Sequence, residues 1–191
     1  TWKIIDLKAS GSCLFDFEKI ADSVNDQTKI IYVQRSKGYI NRPSFCYENI
    51  REAVAFIRNI RSNLIVLVDN CYGEFTDTKE PSDAGADLCV GSLIKNPGGG
   101  LAPTGGYIVG RKDLIERCSF RLTAPGLGKE VGGSLGSLKA TFQGLSLAPK
   151  VVGEALKNAH FAAAIFSHYG FFCSPAWNEK HGCIVEAIDL K

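Results

Sequence analysis

Three short apolar runs in the first half of the chain each lead into a cluster of polar residues. The runs are residues 29–33, 64–68 and 86–90. Continuous apolar runs of this length are typical of strands that are buried on both faces. Between the first two runs, residues 44–61 carry apolar side chains at helical spacing, which predicts a helix capped by Ser44. Because strands and helices alternate, the expected fold class is α/β with a mostly parallel sheet.

The remaining pattern predicts further elements around this sheet. Helical spacing predicts helices over residues 16–24, 112–121 and 148–169, and short apolar runs predict strands over residues 4–7, 105–110, 171–175 and 183–188, with a turn at 10–12. The frequent small residues of 129–147 are consistent with a closely packed helix or an ordered loop. The loop at 96–104 is rich in glycine and proline, which exclude regular structure, so the strand after it most simply returns antiparallel beside its predecessor. We expect residues 1–147 to form the later part of a large domain. Residues 148–191 would form a connecting helix and the start of a smaller α+β domain.

Composition and charge narrow the class of protein. The 191 residues are 45% hydrophobic and 22% charged, and their net charge of +2 is not gathered into a basic stripe, which disfavours a nucleic-acid or anionic membrane surface. No apolar run approaches the length of a membrane span, and the N-terminus lacks the apolar segment of a signal peptide. The seven cysteines are widely spaced without a CxxC pair, which is typical of free thiols in a reducing cytoplasm. Because the chain contains no methionine, even at position 1, we expect an incomplete polypeptide.

An acid and a lysine follow two of the predicted parallel strands. Asp69 follows the run at 64–68, and Lys95 follows the run at 86–90, with Ser92 before it and glycines after it. Since ligands bind outside the carboxyl ends of strands in open α/β sheets, these side chains are expected to share one site. Pyridoxal phosphate requires a lysine that forms the Schiff base, an acid that keeps the ring nitrogen protonated, and donors for the phosphate. The alternatives are a solvated loop lysine and an aspartate that caps a turn.

The same residues carry a resemblance to a known family. Its central block is VDNCYGEF at residues 68–75, GADL at 85–88 and GSLIKNPGG at 91–99, and its supporting segments are QRSKGY at 34–39, RPS at 42–44, APTGGY at 102–107, RLTAPG at 121–126 and GKE at 128–130. In these segments the chain resembles the aluminium-resistance protein family. That family belongs to the fold-type I pyridoxal-phosphate enzymes and is related to cystathionine lyases and methionine γ-lyase. The resemblance extends to about residue 154.

The resemblance implies roles for individual residues. Lys95 would be the catalytic lysine that forms the Schiff base with the cofactor. Asp69 would bind the pyridinium nitrogen and Ser92 the phosphate. Gln34 or Ser36 would approach the 3-oxygen side of the ring.

For four residues near these positions, a structural role is an alternative to a role at the cofactor. Tyr72 and Asn70 would lie at the edge of the cofactor, although Tyr72 suits a packing role equally well. Arg35 suits a local structural charge. Cys71 suits a buried thiol better than a nucleophile, because no histidine lies near it in the sequence.

The resemblance also implies an activity. The expected function is that of a pyridoxal-phosphate-dependent carbon–sulfur lyase, in which the freed Lys95 removes the Cα proton of a sulfur-containing amino acid and a group is eliminated at Cβ or Cγ. Enzymes of this kind are longer. The segment before this chain would supply a glycine-rich phosphate cup and a stacking aromatic residue, and the segment after it the arginine for the substrate carboxylate. A homodimer or homotetramer is expected, and no metal, nucleic acid or membrane is expected as a partner.

Other interpretations of the motifs are weaker. Ser92 and Lys95 also match the S-x-x-K motif of penicillin-binding proteins, but the S-D-N and K-T-G tripeptides are absent. Residues 126–130 are similar to a phosphate loop, but Thr123 stands where the first glycine is required and Glu130 where a hydroxyl would bind magnesium. Two functional alternatives stay open. One is a non-catalytic relative with an assembly or regulatory role, and the other is a nucleotide-binding α/β module, which the absence of G-x-G-x-x-G disfavours.

Overall fold

The computed structural model of the protein describes residues 2–8, 14–38, 40, 42–132 and 134–190. The turn predicted at 10–12, Cys13 and Tyr39 lie outside these ranges. The helices are α1 (Phe17–Ser23), α2 (Tyr47–Ile60), α3 (Lys112–Ser119) and α4 (Leu138–His168), and the strands are β1 (Ile30–Gln34), β2 (Ile65–Asp69), β3 (Leu88–Ser92), β4 (Gly106–Gly110), β5 (Phe172–Ser174) and β6 (Ala187–Asp189).

The first four strands form one sheet in the order β1-β2-β3-β4. β1, β2 and β3 are parallel, and β4 runs antiparallel to β3. The prediction of an α/β fold with a mostly parallel sheet and one antiparallel strand is confirmed. Gln34 pairs with Asp69, and Asp69 pairs with Val90. The three parallel strands therefore end at one edge of the sheet.

Helix α2 covers one face of this sheet. Its residues Ile50, Val54 and Ile57 are almost fully buried and belong to the same core as Val66 and Val68 of β2. Burying side chains of this size contributes roughly 1.5–3 kcal/mol each. The apolar residues whose helical spacing predicted α2 thus form the face of the helix that packs on the strands.

Helix α2 begins at Tyr47, and the prediction that Ser44 caps it is wrong. The Asn49 side chain instead accepts a hydrogen bond from the Cys46 main-chain N–H (2.9 Å) at the start of the helix. The Ser44 hydroxyl accepts a hydrogen bond from the Gly182 N–H (3.2 Å). The Ser44 hydroxyl therefore bonds to a segment distant in sequence and not to the main chain at the start of α2.

A buried carboxylate connects α2, the sheet and the segment before α3. Asp87 accepts hydrogen bonds from the Val66 N–H (2.7 Å), the Arg58 guanidinium (2.7 Å) and the Arg111 guanidinium (3.1 Å). Burial by itself would raise the pKa of Asp87, but these bonds hold it below its ordinary value. The carboxylate is thus ionised and compensated, and removing one partner would leave a buried charge unpaired.

Helix α4 begins at Leu138, ahead of the start predicted at residue 148. It contains Gly144 and Pro149, which both disfavour a helix interior. At Gly144 the helix packs so closely on the loop after β3 that an added Cβ would clash with the Gly98 carbonyl oxygen. Tertiary packing therefore sustains a helix that the local sequence opposes. The division of the chain at residue 147 falls within α4 and stays a prediction.

Three shorter segments also differ from the prediction. Residues 2–8 form no strand, although the Lys8 N–H donates to the Leu14 carbonyl (3.1 Å). Asn96–Gly98 form one turn of 3₁₀ helix within the loop expected to be irregular. β5 and β6 pair antiparallel, but the strand predicted at 183–188 begins only at Ala187. None of the described helices is both long and apolar enough to cross a membrane.

Candidate active site

The Asp69 carboxylate lies at the carboxyl end of β2 and is held on both oxygens. Oδ1 accepts a hydrogen bond from the Cys71 N–H (3.0 Å), and Oδ2 accepts one from the Tyr32 hydroxyl (2.9 Å). Burial and the bond to Asp69 raise the pKa of Tyr32 to about 12, so the phenol stays a proton donor. Each carboxylate oxygen has a second lone pair. Asp69 is therefore oriented and can still accept a further donor.

Lys95 follows β3, and its ammonium lies 4.2 Å from the centre of the Tyr72 ring, within the range of a cation–π contact. Tyr72 has a left-handed backbone (φ 66°), which is uncommon for a residue with a side chain. Burial by itself would lower the pKa of Lys95, but the neighbouring Cys71, Tyr72 and Asp69 outweigh it and raise the pKa. The structure thus brings Asp69, Tyr72 and Lys95 into one site, as the sequence predicts.

The Cys71 thiol belongs to the same group of side chains. Burial and the adjacent Asp69 raise its pKa, while Lys95 acts in the opposite direction. A raised pKa keeps the sulfur protonated at neutral pH, and the thiolate is the nucleophilic form of cysteine. The raised pKa disfavours Cys71 as a nucleophile, although the residue is partly exposed and not the buried thiol that the sequence suggests.

The other predicted cofactor ligands lie at the ends of β1 and β3. Ser92 is the last residue of β3 and is partly buried. Gln34 is the last residue of β1 and is exposed, and its side-chain amide donates to the Ser36 carbonyl (3.3 Å). Ser36 itself is buried. Gln34 is therefore the more accessible of the two residues predicted near the 3-oxygen.

A cavity of about 350 Å³ adjoins Lys95. The residues that line it come from the loops after β2 and β3, from α4 and from the C-terminal segment, namely Tyr72, Ile94, Lys95, Asn96, Val151, Val152, Ala155 and Ile184. The Tyr72 carbonyl accepts a hydrogen bond from the Ile184 N–H (3.0 Å), which connects the C-terminal segment to the site. No group of three or more potential metal ligands occurs among the described residues.

Arg35 and Asn70 form a buried support beneath the site. The Arg35 guanidinium donates to the Asn70 side-chain oxygen (2.8 Å), the Phe45 carbonyl (3.1 Å) and the Thr76 hydroxyl (3.2 Å). The Asn70 amide nitrogen donates to Glu80 (2.9 Å). Arg35 thus has the contacts expected of a structural charge. The Asn70 side chain is hydrogen-bonded to Arg35 and Glu80.

Three residues of the site were not found from the sequence: Tyr32, Glu74 and Tyr107. Tyr32 lies two residues before Gln34 on β1, so strand alternation was the available signal that both face the same side. Glu74 is buried, and its carboxylate accepts a hydrogen bond from the Tyr107 hydroxyl (2.8 Å). Nothing in the spacing of Glu74 and Tyr107 indicates that they meet.

The fold and the site define an α/β protein in which the carboxyl edge of a mostly parallel sheet brings an aspartate and a lysine together. Residues 1–191 match the methionine gamma-lyase family, and the chain belongs to that family. Its resemblance to proteins of the aluminium-resistance group is confirmed by the relatives described next.

Relatives of known sequence or structure cover nearly all of the chain. The uncharacterized protein YnbB of Bacillus subtilis is 49% identical over 189 residues, which are 99% of this chain and 44% of that protein. A carbon-sulfur lyase involved in aluminium resistance from Clostridium novyi is 45% identical with a TM-score of 0.90, over 97% of this chain and 44% of that chain. A protein from Listeria monocytogenes, also named for aluminium resistance, is 48% identical with a TM-score of 0.89, over 92% of this chain and 43% of that chain. This chain therefore spans less than half the length of each relative.

Proposed function

We propose that the complete protein is a pyridoxal-phosphate-dependent lyase that cleaves a carbon–sulfur bond of a sulfur-containing amino acid. The observation that carries the proposal is that the Asp69 carboxylate and the Lys95 ammonium both lie next to Cys71, at the edge where strands of an α/β sheet end. The carbon–sulfur lyase from Clostridium novyi, 45% identical to this chain, supports the reaction class.

The residues present fit pyridoxal phosphate. Lys95 supplies the amine for a Schiff base and borders a cavity. Asp69 is an oriented anion with free lone pairs for a pyridinium N–H. Ser92 offers a hydroxyl for the phosphate. Gln34 offers an exposed amide for the 3-oxygen of the cofactor ring, and the buried Ser36 is the alternative donor. Tyr72, which contacts the Lys95 ammonium, would lie at the edge of the cofactor.

When bound, pyridoxal phosphate supplies an electron sink for the negative charge left at the substrate Cα. The residues of the chain would orient the reacting groups and transfer the protons. Asp69 would keep a proton on the ring nitrogen, and Tyr32 would hold that carboxylate in orientation. Once the Lys95 amine is released from the cofactor, it would take the proton from the substrate Cα. The substrate would then lose a sulfur group from Cβ or Cγ, and a homodimer or homotetramer is proposed as the working assembly.

Borohydride labelling of the full-length protein tests the proposal. Protein purified with added pyridoxal phosphate is expected to absorb in the visible region, and reduction should fix the cofactor on Lys95, as located by peptide mass spectrometry. Lys95→Ala should lose the label. Lys112→Ala, which changes an exposed lysine on α3, should keep it. A wild-type protein that stays colourless and takes up no label at Lys95 would refute the proposed function.

A further inference from the structure

Glu74 lies outside the residues that the proposed function uses, yet it touches the segment that carries Lys95. Its main-chain carbonyl accepts a hydrogen bond from the Asn96 side-chain amide (2.9 Å). Both residues are buried, and Asn96 directly follows Lys95 in the chain. The bond therefore holds the first residue of the 3₁₀ turn after β3 against the loop that carries Glu74.

The Glu74 side chain also touches the segment that carries Ser92. A Cβ atom built on Gly91 would collide with the Glu74 Oε1 atom and with the Tyr107 ring. Glycine at 91 thus lets the buried carboxylate lie directly against β3, one residue before Ser92. Any shift of the Glu74 carboxylate would press on this strand, because the space between them is already filled.

A third contact runs through Tyr107 to the segment that carries Asp69. The Tyr107 hydroxyl donates to Glu74 Oε1 (2.8 Å) and accepts from the Asn70 amide (3.5 Å). Asn70 directly follows Asp69. Glu74 is thereby connected to all three segments that carry Asp69, Ser92 and Lys95.

The carboxylate itself is in an unusual state. Burial raises the pKa of Glu74 to about 7, although hydrogen bonds from its own main chain and from Tyr107 act in the opposite direction. The charged or titratable groups around it are Tyr107 on β4, Glu80 and Cys71 on the loop after β2, and Arg35 after β1. Its Oε2 atom is buried and has no hydrogen-bond partner among the described residues. A carboxyl group in this position gains or loses a proton near neutral pH.

We infer that Glu74 is a positioning residue that holds the Asp69, Ser92 and Lys95 segments in the relative placement that the cofactor requires. The inference rests on the proposed function, since it assigns the cofactor site to those segments. Ionised Glu74 accepts a hydrogen bond from the Tyr107 hydroxyl, and the Tyr107 oxygen in turn accepts one from the Asn70 amide. Protonated Glu74 is a weaker acceptor, so the connection to Asn70 and Asp69 loosens as the pH falls.

Three variants of the full-length protein test this role: Glu74→Gln, which keeps the shape but cannot ionise, Glu74→Ala, and Glu116→Gln as an exposed acid-to-amide control on α3. The measurements are the dissociation constant of pyridoxal phosphate by equilibrium dialysis and the visible spectrum of bound cofactor between pH 6 and 9. The affinity of wild type for pyridoxal phosphate should fall in a transition with a midpoint near pH 7, where Glu74 gains its proton. Glu74→Gln should lose this transition and bind at every pH within about threefold of wild type at pH 6, since its neutral amide oxygen still accepts from Tyr107. Glu74→Ala should bind at least about tenfold more weakly, the equivalent of about 1.4 kcal/mol.

The outcomes separate the role of Glu74 from the proposed function. If the borohydride label is found at Lys95 but Glu74→Ala binds as wild type does, or Glu74→Gln keeps the transition, the positioning role is refuted alone. If wild type takes up no label, the proposed function fails and this role fails with it. Should Glu74→Ala not fold, Tyr107→Phe removes the hydroxyl that donates to Glu74 and accepts from Asn70, and it must weaken binding in the same direction. Glu116→Gln should match wild type in both measurements.

Discussion

At the scale of single residues, the site depends on how the Asp69 carboxylate is held. Its two oxygens already accept hydrogen bonds from the Cys71 main-chain N–H, in the turn after β2, and from the Tyr32 hydroxyl on β1. A carboxylate that is oriented before it meets its partner needs no rearrangement when charge develops, which is the basis of electrostatic preorganisation. Asp69 is therefore expected to act through its charge and not only through its shape.

Asp69→Asn tests that expectation. Asparagine keeps the size of the side chain but cannot stabilise a proton on the ring nitrogen, so proton exchange at the substrate Cα should slow by about 100-fold or more. The measurement is deuterium exchange of L-cystathionine or L-methionine, followed by NMR with the full-length protein. The label at Lys95 should persist in the variant, which separates the loss of charge from a loss of cofactor.

Tyr32→Phe is the matched control for Asp69→Asn. It removes one hydrogen bond to Asp69 and leaves the charge, so a loss of about fivefold is expected, in line with about 1 kcal/mol for one hydrogen bond. If Asp69→Asn exchanges protons no more slowly than Tyr32→Phe, the charge of Asp69 has no role in the reaction.

At the scale of elements, the position of Lys95 depends on the contact between the 3₁₀ turn and α4. Cβ atoms built on Gly98, Gly99 or Gly144 would meet main-chain atoms at distances that no real side chain adopts. Gly99 also has a left-handed backbone (φ 52°), which glycine adopts without strain. The backbone of the turn that follows Lys95 is thus packed directly on the backbone of the long helix.

Gly144→Ala should disturb this contact. The added methyl group would force the turn and α4 apart, and overpacking of this kind costs about 1–3 kcal/mol in the free energy of unfolding. Affinity for pyridoxal phosphate should fall as well, because the turn carries Lys95. Urea unfolding and equilibrium dialysis of the full-length protein measure the two effects.

Gly153→Ala is the control in the same helix. An added Cβ at Gly153 meets no atom within 4 Å among the described residues, so the variant should be as stable as wild type or about 1 kcal/mol more stable. Equal stability losses at positions 144 and 153 would show that the close approach to Gly98 is not what matters at Gly144.

At the scale of the whole molecule, a buried polar cluster joins the sheet, α4 and the C-terminal segment. The Lys37 ammonium, after β1, donates to the Ser174 hydroxyl of β5 (2.9 Å). The His181 ring packs against His160 of α4 in a tilted arrangement, with 3.9 Å between ring centres. Burial, with the adjacent His160, lowers the pKa of His181 to about 4. Burial raises the pKa of Glu186 to about 7. The two groups make stability depend on pH in opposite directions.

The His181 contribution has a definite sign. An unfolded histidine takes up a proton near pH 6.5, whereas folded His181 does so only near pH 4, so the unfolded state binds more protons between these values. The His181 contribution is therefore complete above pH 6.5 and is lost as the pH falls toward 4. Glu186 opposes this, because its raised pKa makes the folded state bind more protons between pH 4.5 and 7.

His181→Gln isolates the effect. The difference in unfolding free energy between this variant and wild type should change in favour of the variant as the pH is lowered from 7 to 5, measured by urea unfolding of the full-length protein. His168→Gln, which changes an exposed histidine of α4, is the control for the loss of an imidazole elsewhere in the chain. A pH-independent difference for His181→Gln would mean that His181 gains no proton on unfolding in this range.

The predictions from the sequence succeeded where local pattern and strand topology suffice. Apolar runs located β1 to β4, and the rule that parallel strands end at one edge brought Asp69 and Lys95 together before their geometry was known. They failed where a distant residue decides the outcome. Ser44 does not cap α2 because Gly182 takes its hydroxyl, and α4 begins at Leu138 because packing at Gly144 outweighs its weak helix propensity.

The sequence by itself determined the α/β class, the order of the strands and the acid and lysine that follow them, because strand and helix periodicity and turn residues act over a few neighbouring positions. Only the tertiary structure decided how that acid and lysine are supported. Tyr32 reaches Asp69 across 37 residues, and Tyr107 reaches Glu74 across 33. Contacts of that separation depend on the pairing of strands and the burial of side chains, so no local pattern contains them. Burial raises the pKa of both Tyr32 and Glu74, and these contacts add to that rise at Tyr32 and oppose it at Glu74.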